Sequence, residues 1–139
     1  MSDLMPFLLE SSAFQVDACF EGLPESAWDE RLAETSMSPR EMLVHLCEVY
    51  TAFQVIAHGG KYEWGSYVPP TTEPLGLLEA MRKLRTASHG LAMSSSDDML
   101  RRNAVDYLAL HDAYHVGQMV EFRMRFTPDW DTYSIYRHH

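Results

Sequence analysis

Cysteine, basic residues and long apolar runs are all scarce in this chain, and each shortage closes off a class of protein. The two cysteines, Cys19 and Cys47, are too few for a disulfide framework and lack the spacing of a zinc ligand pair or a redox dithiol. Both lie in apolar surroundings and read as reduced, buried small hydrophobes. Lys and Arg number 11 against 20 Asp and Glu, giving a net charge of −9. The basic residues are scattered apart from Arg82, Lys83 and Arg85 and the Arg101–Arg102 pair. Binding phosphates needs a concentrated basic face, so the sequence argues against nucleic acid and against anionic membrane surfaces as partners. No segment approaches the roughly 20 apolar residues that span a bilayer, and the N-terminus lacks the basic start, apolar run and cleavage site of a secretory signal. The expected location is the cytoplasm.

What is present is an ordinary core. The 139 residues, 46% of them hydrophobic, suit one domain over 1–139. Apolar or small residues at Met5, Leu8, Leu9, Ser12, Val16, Cys19, Phe20 and Leu23 recur at three- and four-residue steps, which predicts a first amphipathic helix ended by Gly22 and Pro24. Residues 24–37 form a connection holding one helical turn and Trp28. The best-marked boundary is Ser38-Pro39-Arg40-Glu41: a hydroxyl N-cap, a proline at the first helical position and a glutamate placed to close a capping box. The helix it opens turns Met42, Leu46, Val49, Phe53 and Ile56 inward and stops at Gly59-Gly60.

The stretch from Gly59 to Thr71, with Tyr62, Trp64 and Tyr67, shows no helical period. Its roughly 13 residues reach about 40 Å when extended, whereas the preceding helix of about 20 residues is about 30 Å long. The loop is therefore long enough for the second and third helices to run parallel. A third helix opens near Thr72 and Pro74, with Leu77, Leu78, Met81, Leu84, Ser88 and Leu91 inward. A fourth runs from about Arg102 to Phe126, ended by Thr127 and Pro128. The fold class is all-α, a four-helix bundle.

Seven histidines sort by helix position. His111 and His115, four residues apart, share a helix face, as two ligands of one ion must. That spacing alone is unspecific. His45, beside the apolar stripe of the second helix, supplies the third imidazole. Three neutral imidazoles suit Zn²⁺, Ni²⁺ or Fe²⁺ and leave coordination positions free. His58 ends a helix and His89 lies with Arg82 and Arg85, so both are expected in solvent. His138 and His139 carry no weight, being a plausible tag remnant. By helical angle Asp112 and Cys47 point away from the imidazoles. Glu48 and Gln118 lie one turn from a proposed ligand, either supporting it or resting on a solvated helix edge.

Ser38-Pro39-Arg40-Glu41-Met42-Leu43-Val44-His45-Leu46 and His111-Asp112-Ala113-Tyr114-His115-Val116-Gly117-Gln118-Met119 resemble the DinB-like superfamily, which includes metal-dependent thiol transferases. The helix order and the long loop extend the likeness over nearly the whole chain. The resemblance implies an up-down-down-up bundle, often a homodimer, with a divalent metal on His45, His111 and His115. Val116 departs from the pattern, since many relatives carry Arg after the last ligand. The expected activity is metal-dependent activation of a small thiol or water, with a small-molecule thiol or electrophile as substrate. Zn or Ni leads as the ion, with Fe and Mn as further options. No general base stands out beyond the weak candidates Glu48 and Gln118. The alternatives are a hydrolase, a non-catalytic metal-binding stress-related bundle and a bundle whose histidines bind nothing. The aromatic loop is the candidate substrate lid.

Overall fold

A computed structural model of the chain describes residues 3–137, so His138 and His139 lie outside the described residues. Helix α1, Met5–Phe20, buries Met5, Leu9, Ser12, Val16, Cys19 and Phe20 along the face set by their three- and four-residue steps. It stops because Gly22 takes a left-handed φ of 65° and Pro24 has no amide to continue the ladder. A short 3₁₀ turn, Glu25–Ala27, then delivers Trp28 into the core, stacked on Phe20 with ring centroids 6.0 Å apart. Helix α2, Pro39–Ala57, starts on a complete capping box. The Glu41 amide donates to Ser38 Oγ at 3.2 Å, and the Ser38 amide donates to Glu41 Oε1 at 3.0 Å. Helix α3 spans Pro74–Ser94 and buries Leu77, Leu78, Met81, Arg85, Ser88 and Ala92.

Helix α4, residues 98–126, begins four residues before the expected Arg102. Asp97, read from sequence as part of a helix break, accepts the Leu100 amide at 3.0 Å and is the N-cap. The break residues restart the helix at once. Within α4 the segments Asp98–Ala104 and His111–Phe126 are α-helical, and Val105–Leu110 between them is π-helical. The described residues contain no strand, and none of their helices is long and apolar enough to cross a membrane.

Buried polar contacts tie the helices together. Arg85 of α3 reaches Asp17 of α1 with both terminal nitrogens at 2.9 Å, a fork geometry that lysine cannot reproduce. Arg123, 3% exposed, donates to the carbonyls of Cys19 and Glu21 at 3.0 Å each. It thereby satisfies acceptors that the end of α1 leaves open. The Arg85–Asp17 pair also corrects one expectation. His89 is half-buried rather than solvated, and its Nε2 has no partner among the described residues. Burial first, and the Arg85 charge second, pull it down to about 4. The face carrying Arg85 and His89 looks polar in sequence, but α1 packs over it once Asp17 takes the arginine.

The capping box stands two turns ahead of His45, so the start of α2 bears on the position of that imidazole. Ser38→Ala is expected to lower unfolding stability by about 1 kcal/mol, read as a shifted urea midpoint at unchanged slope; an unmoved midpoint refutes a contribution from the cap.

Candidate metal centre

The structure brings together the three histidines selected by helix face. His45 projects from α2, and His111 and His115 project from α4 immediately after its π-helical turn. His111 Nε2 lies 3.0 Å from His45 Nε2 and 3.0 Å from His115 Nε2. One ligand atom from each ring falls within 4.8 Å of the others, and the group can hold a metal ion. His115 is buried, and His45 and His111 are half-buried. The π-helical turn is a feature the sequence does not announce, since Val105–Leu110 contains neither glycine nor proline. Such wide turns recur at functional sites.

Counting protons tests whether an ion fits. A neutral imidazole has one N–H and one bare nitrogen. His115 Nδ1 lies 2.7 Å from Gln118 Oε1, which only accepts, so Nδ1 holds the proton and Nε2 is bare. His111 Nε2 then faces two ring nitrogens with at most one proton to share. A proton on it can serve one neighbour; without one, it opposes the bare nitrogen of His115. No neutral arrangement satisfies both 3.0 Å contacts, whereas a cation on three bare Nε2 atoms does. Nitrogens about 2.1 Å from one ion would stand about 3.4 Å apart in a tetrahedral site, so the 3.0 Å contacts of His111 Nε2 are close enough for its neighbours to share an ion with it. The Nδ1 of His111 is buried with no partner among the described residues, so the outer support that Gln118 gives His115 is missing on this ring.

All three rings are held in the neutral form that ligation needs. Burial, then repulsion from His115 and His45, pulls His111 down to about 4. Burial also lowers His115 against the opposing Gln118 hydrogen bond, and lowers His45 against the opposing charge of Glu48.

The residues around the triad divide cleanly. Gln118 supports His115, as one of its two sequence readings had it. Glu48 leaves the solvated edge and holds the long loop instead. Its Oε2 accepts the Tyr62 hydroxyl at 3.0 Å, the Gly65 amide at 3.2 Å and the Tyr67 amide at 3.0 Å. One carboxylate oxygen thus clips that loop to α2, one turn from His45. Asp112 points away from the imidazoles, as its helical angle requires, and its fully buried carboxyl accepts the Tyr50 hydroxyl at 2.9 and 3.0 Å. Burial pushes that carboxyl up to about 8. This pairing escaped sequence reading because Tyr50 and Asp112 are 62 positions apart. Both cysteines are free and buried, and burial pushes Cys19 to about 12 and Cys47 to about 11. Neither offers a thiolate at neutral pH.

An open cavity of about 420 Å³ adjoins His45, with Val44, Glu48, Gly65 and Tyr67 among its walls. Of the three loop aromatics, Tyr67 alone lines it. Tyr62 spends its hydroxyl on Glu48, and Trp64 packs edge-on against Tyr62 at 5.1 Å and beside Tyr107 of α4 at 6.5 Å. The loop therefore bridges the two ligand-bearing helices, and as a wall over the site it consists of Tyr67 and backbone.

Because the rings resist protonation, acid should compete weakly for the site. Three ordinary imidazoles near pKa 6.5 would lose about thirtyfold in affinity between pH 7 and pH 6; zinc titration here is expected to show a loss of only a few-fold. The isosteric Gln118→Leu, which deprives His115 Nδ1 of its acceptor, is expected to weaken zinc binding about tenfold or more, and an unchanged constant would remove Gln118 from the site. Comparison with protein-family models, with curated proteins and with solved structures gives no match.

Proposed function

We propose that the chain is a divalent-metal-dependent enzyme that activates a small thiol for attack on an electrophile. The observation that carries this is the convergence of three imidazole Nε2 atoms that no placement of protons can satisfy. Zn²⁺ or Ni²⁺ suits three neutral nitrogen donors best, with Fe²⁺ and Mn²⁺ accepted less readily by the donor set. Three protein ligands leave room for substrate, and an ion held there supplies Lewis acidity that lowers the pKa of an approaching thiol or water.

The protein groups favour thiol over water. Activating water calls for a base, and both carboxylates of the cavity beside His45 are already engaged, Glu48 by three hydrogen bonds on Oε2 and Glu41 by Arg31 and the Ser38 amide. A thiol, with a pKa near 8.5, needs little help. In the transfer, the sulfur forms a bond to the carbon of the electrophile, that carbon releases its leaving group, and the thiol proton passes to solvent. Tyr67 and Val44 narrow the approach from one side. The hydrolase and the non-catalytic metal-binding bundle remain the competing readings, and the cavity beside His45 favours an enzyme over the latter.

The DinB-like likeness belongs to the same proposal, and the order of contacts supports its up-down-down-up arrangement. Asp3 meets Arg101 while Cys19 meets Val116, so α1 and α4 run together. Arg40 meets Thr72 while Gln54 meets Ser88, which aligns α2 with α3. Tyr50, late in α2, meets Asp112, whereas the earlier His45 reaches past it to His115, so α2 opposes α4. A cytoplasmic homodimer is part of the reading: Leu4 at the N-cap of α1, Phe7 and Phe14 of α1, and Leu110, Tyr114 and Met124 of α4 are exposed apolar side chains for a second copy to cover. Sedimentation velocity is expected to give twice the chain mass, and a monomer at all concentrations refutes the dimer.

Metal analysis of tag-free protein is expected to find about one ion per chain, lost in His111→Ala; full retention in that variant refutes the centre. With metal present, a panel of low-molecular-weight thiols and a fluorogenic chloro-electrophile is expected to show conjugation above the buffer rate. Metal binding without conjugation across the panel identifies a binding module instead.

A further inference from the structure

The charges lining the cavity beside His45 are not equivalent. Arg40 is engaged: its guanidinium meets both carboxylate oxygens of Asp29, at 2.8 and 3.2 Å, and the carbonyl of Thr72. Glu41 is engaged as well, by Arg31 at 2.7 Å and by the Ser38 amide of the capping box. Glu48 differs. Its three donors are a hydroxyl and two backbone amides, all on Oε2, and among the described residues no cation pairs with it. Neutral donors orient a carboxylate without cancelling its charge. The cavity thus carries one uncompensated negative charge, and the other carboxylate oxygen, Oε1, takes no hydrogen bond from the described residues.

We infer that this cavity receives the ammonium group of a small substrate, with Glu48 as its counter-ion and the Tyr67 ring and Val44 against its carbon chain. Glu48 and His45 stand three positions apart on α2, a spacing that puts side chains side by side about 5–6 Å apart at their Cβ atoms. A molecule with its reacting atom at the triad and an ammonium two or three carbons away spans that gap. The inference rests on the proposed thiol chemistry for the sulfur end, and specifies an aminothiol as its substrate class. Thiols bearing several carboxylates and no free amine meet Glu48 with like charge and are disfavoured, because a like-charge contact costs as an opposite-charge contact gains.

The amides of Gly65 and Tyr67 report directly on the Glu48 carboxylate that they contact, which allows a test without any ion. Isotope-labelled, metal-free full-length protein is titrated with propylammonium, propanol and propionate while amide resonances are followed. Propylammonium alone is expected to give saturable shifts at Gly65 and Tyr67, absent in Glu48→Gln and kept in Glu41→Gln, whose charge Arg31 already balances. Equal response to the three probes, no response to propylammonium, or a response that survives Glu48→Gln overturns the inference. In the second arm, cobalt-loaded protein is titrated with cysteamine, mercaptoethanol and mercaptopropionate, and the cobalt absorption spectrum is read. Cysteamine is expected to bind about tenfold more tightly than mercaptoethanol and mercaptopropionate more weakly than either. The cysteamine advantage should shrink to about twofold or less in Glu48→Gln. Propylammonium binding in a chain that takes up no cobalt refutes the metal centre and leaves the cavity assignment standing. Cobalt uptake with no preference for cysteamine does the reverse.

Discussion

The Tyr50 hydroxyl on the buried Asp112 carboxyl fixes α2 against α4, and the three-histidine cluster inherits its geometry from that bond. Tyr50 follows His45 in α2 by five positions, and Asp112 follows His111 directly in α4. Neither polar group is exposed, so each needs the other: a buried carboxyl stripped of its donor costs about 1–3 kcal/mol. Apolar packing tolerates small slips between helices, whereas a hydrogen bond at 2.9 Å does not. Once it forms, His45 and His111 have little choice but to meet. The tie continues sideways, since the Tyr50 carbonyl accepts the Ser88 hydroxyl and Gln54 reaches Ser88 and the Leu84 carbonyl on α3. Arg85, one turn before Ser88, carries the network to Asp17 of α1. The site therefore stands on rigid elements braced on several sides, which is how a ligand set holds its geometry before an ion arrives.

The same packing explains why the centre works as an assembly of neutral rings. Three imidazoles, with His111 Nε2 3.0 Å from each of its neighbours, cannot all charge, and burial removes the water that would soften the repulsion. The chain accepts rings that are poorly satisfied alone, within a protein whose net charge of −9 favours a cation. Glu48 sharpens this locally. Its charge opposes the effect of burial on His45 while its oxygen holds the loop, so one residue joins the electrostatics of the ligand to the position of the cavity wall.

How much of this is legible in sequence depends on whether a feature is local. The Ser38-Pro39-Arg40-Glu41 start of α2 is written in four consecutive residues, and the structure realises both of its hydrogen bonds. The His111–His115 pair is equally local, because four residues on a helix fix a shared face. His45 could be chosen because it borders an apolar stripe. What remained hidden depends on partners distant in sequence. The helical angle of Asp112 says only that it points away from the imidazoles until Tyr50 is opposite it, and His89 reads as solvated until Asp17 draws Arg85 inward. Glu48 looks like an ordinary helix-edge carboxylate until the loop folds back over it. The π-helical turn is hidden for another reason: it widens one turn without breaking the hydrogen-bonded chain, so no glycine or proline marks it.

Whether such a centre serves catalysis or only stability turns on what lies next to it. A structural zinc site is closed, with four protein ligands and no way in. Here the described residues bring three histidines together, and a cavity adjoins one of them, His45. Cys47 is on the right helix to have closed the site, yet it faces Tyr67 and its thiol is pushed up to about 11. Glu48 lies one turn from His45 on α2, and three loop donors hold its Oε2. Cys47 is turned toward Tyr67, and the three donors that hold Glu48 Oε2 also shape the cavity wall. That coupling supports the proposed substrate site over a purely structural ion.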